Sequence, residues 1–284
     1  MTHNQSPKYL LYILLFFTNF TLSAAELPIH NTVDIKSNLD EDDSYWELDL
    51  GLSANFDKHY IQGVNKHEDG DLSSSVILSG GYYYHDFFFE VSPLIGRPFT
   101  FGYSLQRTKH FVVNLIAESL FQGFSEKSQH FGSQLTGINK RKTSLDGGIE
   151  MYYSHEYGET RFRALRDISN THQGYIIAFD YAYPIFMKRW TIWPSYGVSW
   201  LSEDTTQYYF GIVPDESTVN RPIYKPRSAF TNKFNLYIAY QVNSHLSVVG
   251  YGDYTLFSHN INKSPLVAPN INSYRFGLGV MWSF

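Results

Sequence analysis

From Trp46 to Phe56, apolar and polar residues alternate without a break. Trp46, Leu48, Leu50, Leu52, Ala54 and Phe56 fall on one face, and Glu47, Asp49, Gly51, Ser53 and Asn55 on the other. A period of two is the signature of a β-strand with two chemically distinct faces. The end of the chain repeats it: Tyr274, Phe276, Leu278, Val280, Trp282 and Phe284 oppose Arg275, Gly277, Gly279, Met281 and Ser283. The alternation is also clear over Leu145–Tyr153, Tyr175–Tyr183 and Phe234–Tyr240. Weaker segments cover 74–84, 87–92, 99–106, 111–121, 160–167, 190–209 and 245–256. Together they predict an all-β chain of about twelve strands. Pro93 and Pro98 interrupt the ladder near Leu94–Gln106, and merging the two strands there would leave ten.

The links between strands alternate in length. Short ones at His85–Asp86, Arg107–Lys109, Glu156–Glu159, Phe186–Lys188 and Val242–Ser244 are interleaved with longer ones at Asp57–Leu72, Ser125–Thr143, Pro214–Ile223 and Ser258–Asn272. That is the pattern of a transmembrane antiparallel β-barrel with short periplasmic turns, longer external loops, an even strand number and both termini inside. Alternation alone does not say which face points outward, because a soluble barrel has the same period with its apolar side inside. Two features favour the inverted arrangement. The apolar faces recur on nearly every strand and end in Tyr, Trp or Phe, as a lipid-facing band with aromatic girdles would. The polar faces are rich in Gly and Ser, where a soluble exterior would carry Lys and Glu.

Composition agrees. Of 284 residues, 18% are aromatic and only 17% charged, against roughly a quarter charged in ordinary soluble domains. Mean hydropathy is −0.28, too low for a bundle of transmembrane helices. There is no cysteine, which excludes disulfides, thiolate metal ligands, a cysteine nucleophile and a lipidated N-terminal cysteine. A net charge of −5 with no basic excess argues against nucleic acid as a partner.

Residues 1–25 read as a secretory signal peptide. Lys8 supplies the positive charge, Tyr9–Phe17 the apolar core, and Ser23-Ala24-Ala25 the small residues for cleavage between Ala25 and Glu26. Residues 26–44 form a polar, acidic segment, read as a flexible periplasmic leader, and residues 45–284 the barrel. The chain is therefore expected in the outer membrane of a Gram-negative cell, among outer-membrane lipid.

The C-terminal half also carries motifs. Tyr208-Tyr209-Phe210-Gly211-Ile212 closes what reads as one long strand. Then come a polar loop, Tyr224-Lys225-Pro226, two strands, Ser264-Pro265-Leu266-Val267 and a last strand ending in Phe284. Upstream, Arg166-Asp167-Ile168-Ser169 precedes His172-Gln173-Gly174. In this order the motifs resemble the MipA/OmpV family of Gram-negative outer-membrane proteins, over roughly Tyr45–Phe284. The resemblance implies a barrel that scaffolds peptidoglycan (murein) synthesis by linking a lytic transglycosylase, a murein hydrolase, to a penicillin-binding protein.

The eleven His residues show no metal-ligand spacing. His59 and His67 share a loop with Asp57, Glu68, Asp69 and Asp71, which reads as a solvated acidic loop more readily than as a cation site. Ser154-His155-Glu156 and Ser258-His259-Asn260 suggest a hydrolase only superficially, because neighbours in a strand point to opposite faces and no GxSxG elbow exists. No catalytic, cofactor or metal residue is assigned, and the chain is read as not an enzyme. On the face read as lumenal lie Glu47, Asp49, Glu90, Asp146, Glu150, Asp180 and Asp253, against Arg161, Arg163, Lys233 and Arg275. Such charges must pair or be hydrated. Closure of the first strand on the last suggests pairing of Glu47 or Asp49 with Arg275. The acidic surplus leaves a second reading, a cation-preferring channel for small solutes, and a lipid-modifying enzyme stands as a weaker third. The terminal Tyr274, Phe276, Leu278, Val280, Trp282 and Phe284 look like the strand read by the barrel-assembly machinery.

Overall fold

The computed structural model describes residues 44–67, 69–95, 97–130, 132–268 and 273–284. The signal peptide, the Ala25–Glu26 cleavage pair, nearly all of the acidic leader, and Glu68 lie outside these residues. The strands run β1 (Ser44–Lys58), β2 (Asp71–Tyr84), β3 (Phe87–Ser92), β4 (Arg97–Arg107), β5 (Phe111–Glu118), β6 (Asp146–His155) and β7 (Gly158–Asp167). They continue as β8 (Tyr175–Ala182), β9 (Ile185–Met187), β10 (Trp190–Leu201), β11 (Ala229–Gln241), β12 (Leu246–Phe257) and β13 (Ser273–Ser283). Every pairing is antiparallel and, apart from β8 with β10, joins sequence neighbours, and β1 pairs with β13 to close the sheet. β8 and β9 pair with consecutive stretches of β10, so they are two pieces of one staircase. Pro184 and Pro194 flank the break, and each lacks the N–H that a ladder needs. The closed barrel therefore has twelve members, the even number expected from the links.

The faces follow the alternation. In β1, Glu47, Asp49, Ser53 and Asn55 are buried inside while Leu50, Leu52 and Phe56 are exposed outside. In β13, Phe276, Leu278, Val280 and Trp282 face outward, and Met281 and Ser283 inward, and Phe284 just past the strand is also exposed. Outward apolar and inward polar is the order of a barrel solvated by lipid. Closure is direct: Asp49 lies opposite Ser283 and Lys58 opposite Tyr274, with the Phe284 N–H donating to the Leu48 carbonyl at 3.0 Å. The inward glycines make room for rings. A Cβ on Gly277 would come within 2.2 Å of the Tyr251 ring, which lies over β13 on the inner wall to reach Asn55 and Ser53 on β1.

Three expectations are corrected. The strand read over 190–209 ends at Leu201, and Glu203–Phe210 is an α-helix, α1. Ser202 caps it by accepting from the Thr205 N–H, and Glu203 and Asp204 suit its positive first turn. The strand read over 111–121 stops at Glu118, because Leu120 and Phe121 turn inward to join a buried cluster. Neither Glu47 nor Asp49 meets Arg275. The antiparallel register sets Arg275 opposite Asp57, at the other end of β1.

Candidate functional site

The long links all emerge at the end of the barrel opposite the termini, and they do not spread into solvent. The link 119–145 contributes Phe124, Leu135 and Ile138. The link 202–228 contributes Tyr209, Phe210 and Ile212, and the link 258–268 contributes Ile261, Leu266 and Val267. With Ile61 from the first loop they form one buried apolar cluster over the mouth of the barrel. Tyr209 and Phe210 are 0% exposed. The YYFG segment thus caps the lumen.

Polar bonds lock this cap. The Ser264 hydroxyl donates to the Phe210 carbonyl at 2.6 Å, and the Gln62 N–H to the Leu266 carbonyl at 2.8 Å. Arg141 grips both carboxylate oxygens of Glu216, at 2.7 and 2.8 Å, and donates to the Gly211 carbonyl at 3.0 Å. Burial would raise the Glu216 carboxyl, but the Arg141 hydrogen bonds and charge hold it below the ordinary carboxylate range. Arg221 ties the Gln134, Thr136 and Glu216 carbonyls together. Beside the cap, burial pushes His59 down to about 4, and its neutral Nδ1 accepts from the Ile61 N–H.

The Arg166-Asp167-Ile168-Ser169 and His172-Gln173-Gly174 motifs form a clasp next to the cap. Asp167 accepts from the backbone N–H groups of Ser169, Thr171, His172 and Gln173. This holds a tight link with positive φ at Asn170 and Gln173. His172 Nδ1 accepts from the Gly174 N–H at 3.1 Å, so Nε2 carries the proton and donates to Asp146 at 2.8 Å. Asp146, Asp167 and His172 bring potential ligand atoms within 4.8 Å of one another. Each of those atoms is already engaged with protein partners, and the three form a hydrogen-bonded clasp.

Below the cap the inner wall of the barrel is braced by ion pairs between nearby strands. Arg163 bonds Glu118 and Asp180, the latter at 2.9 Å, and Arg161 reaches the same Asp180 oxygen at 3.3 Å. Asn114 donates to Glu150 at 3.1 Å. Arg275 bonds Asp253 at 2.9 Å on the neighbouring strand. Deeper still, the link between β3 and β4 folds inward, and Leu94 packs against a second buried cluster containing Trp193, Tyr237 and Met281. Between the ion pairs and the cap lies a cavity of about 290 Å³, walled by Arg161, Arg163, Asp180 and Lys233 and roofed by Tyr60, Phe121 and Phe257.

The lumen charges singled out by sequence thus separate into groups. Arg161, Arg163 and Asp180 come together, as do Asp253 and Arg275. Glu150 pairs with an asparagine, Asp146 joins the clasp, and Glu47 and Asp49 lie toward the end with the termini. The acidic surplus does not describe the cavity, whose lining holds three of the cations and one acid. Glu118 and His172 were missed. Glu118 shares its inward face with Val112, Asn114 and Ile116, a mixed face that does not set it apart. His172 sits in a link with no periodicity at all. The two serine–histidine pairs assemble nothing: His155 Nδ1 accepts from the Tyr157 N–H, and Ser258 precedes the short helix α2 (His259–Asn262), where His259 is exposed. In the acidic first loop, Asp71 is occupied by the N–H groups of Lys66 and His67 and by the His67 ring.

Residues 50–284 match the model of the family described as MltA-interacting protein MipA. The outer membrane protein OmpV of Vibrio cholerae is 26% identical over 217 residues, 76% of this chain and 81% of that protein. The MltA-interacting protein of Escherichia coli is 26% identical over 135 residues, 47% of this chain and 54% of that one. Among solved structures, the NanC porin aligns with 83% of this chain and all of its own, at 11% identity and a TM-score of 0.41.

Proposed function

This chain belongs to the MipA/OmpV family of outer-membrane barrels, and on that premise we propose that it is a capped anchor on which murein-synthesising enzymes assemble. One observation carries the reading. The external mouth is covered by a cap with a buried apolar core, and the lumen beneath is braced by ion pairs. That is the construction of a plugged anchor, and it leaves the periplasmic side to carry function. There the turns are short and polar, among them His85–Asp86 and Lys188–Arg189, and the acidic leader adds a tether. The name of the Escherichia coli relative supplies the partner class, a murein hydrolase, with a penicillin-binding protein as the second arm.

The proposal includes export by residues 1–25 with cleavage between Ala25 and Glu26, and docking of the terminal strand ending in Phe284 on the barrel-assembly machinery. A mature mass beginning at Glu26 supports the first. The second reading is a channel for small solutes, which the cavity below the cap favours. Affinity purification from crosslinked envelopes, with the same protein in planar bilayers, separates the two. Co-isolation of a murein hydrolase or synthase with no discrete conductance supports the scaffold. Steady conductance without any such enzyme overturns it.

A further inference from the structure

The lining of the cavity below the cap includes one cation with no ion pair of its own among the described residues. Arg161 and Arg163 share Asp180, Arg163 also holds Glu118, and Arg275 is held by Asp253. Lys233, from β11, forms no ion pair among the described residues. The two acids that act on it electrostatically, Asp253 and Asp180, are each already bonded to arginine. A charge in a partly enclosed site is costly without a counter-charge. The lining as a whole carries positive surplus, with Arg161, Arg163 and Lys233 facing Asp180.

The rest of the lining narrows the counter-charge to a class. Toward the cap the walls are rings, Tyr60, Phe121 and Phe257, and around Lys233 they are the polar Thr231 and Asn235. A volume near 290 Å³ sits at the small end of ligand pockets, roughly 300–1,000 Å³. We propose that this cavity binds a small organic monocarboxylate, its carboxylate on Lys233 and its apolar body under the aromatic roof. One unpaired cation suits one negative charge, and the roof offers nothing to a second. This site goes beyond the scaffold reading and does not depend on it, because a barrel with no murein partner would still present Lys233 to the cavity.

The test uses the full mature protein in a neutral detergent, with benzoate, benzyl alcohol and inorganic phosphate as probes and calorimetric titration as the readout. Benzoate should bind saturably, and benzyl alcohol and phosphate each at least about tenfold more weakly, in line with loss of one charge-assisted hydrogen bond or of the apolar contact. Lys233→Met should lose benzoate binding by a similar factor, whereas Lys233→Arg, which keeps the charge, should retain it. Heat-modifiable migration of both variants checks that the barrel is intact. Absence of saturable benzoate binding overturns the proposal. So does equal binding of benzyl alcohol or phosphate, or an intact Lys233→Met barrel that binds benzoate as the parent does. Should Lys233→Met fail to fold, Lys233→Gln with the same readouts takes its place.

Discussion

The Ser264 hydroxyl donates to the Phe210 carbonyl at 2.6 Å, both groups being buried. This bond joins the SPLV segment to the end of the YYFG segment, and so links two motifs far apart along the chain into one cap. Their order in the sequence reflects a packing relationship, and the chemistry of either alone explains nothing.

Phe210→Ala should therefore open the cap while leaving the barrel closed. Removing a buried ring costs about 3–5 kcal/mol, and Ser264→Ala about 1 kcal/mol. The expected outcome is faster protease cleavage in the links 202–228 and 258–268 with unchanged heat-modifiable migration. Equal protection in Phe210→Ala and parent would refute the cap.

Acid should loosen the same cap through Glu216. Its folded pKa lies below the ordinary value of 4.5, so its stabilisation is complete above that value and fades as pH falls through the folded pKa. Cap protection measured by hydrogen exchange should thus be level near neutrality and decline in acid. Glu216→Gln should flatten this dependence and lower protection at neutral pH. Arg141→Met leaves the carboxylate buried and unpaired, at about 3–5 kcal/mol.

Arg163 on β7 bridges Glu118 on β5 and Asp180 on β8 along the inner wall of the barrel. Replacing it with Met strands two acids, and a loss of about 3–5 kcal/mol is expected. Urea titration of the refolded barrel, followed by heat-modifiable migration, should show an earlier midpoint. Arg161→Met removes only the longer contact to Asp180 and should shift the midpoint less.

Deleting Phe284 should lower the yield of assembled barrel in the outer membrane. The residue is exposed and its N–H closes β13 onto β1 at Leu48. Normal amounts of heat-modifiable protein in the truncated form would remove the assembly signal from the terminal strand.

The barrel was legible because a strand's faces alternate at a fixed period and lipid demands apolar side chains along one of them. Trp46–Phe56 and Tyr274–Phe284 needed no further information, and the alternation of short and long links set the even strand number. The failures share one cause. Tyr208–Phe210 continues the aromatic alternation of β10, and only the Ser202 cap and the partners in two other links turn it into a buried helix. Glu118 was hidden on an inward face that mixes Val112 and Ile116 with Asn114, and His172 in a link without pattern.

What the sequence determined by itself was therefore the membrane-facing chemistry: all-β, inside-out, with both termini at one end. The tertiary structure alone decided which charges meet. Register and strand tilt put Arg275 beside Asp253 and far from Asp49, and brought Arg161 and Arg163 to Asp180. It also decided that the loops cover the mouth and leave Lys233 in a cavity beneath them. Alternation is set one residue at a time by local geometry, whereas pairing between strands depends on the register in which the whole sheet closes.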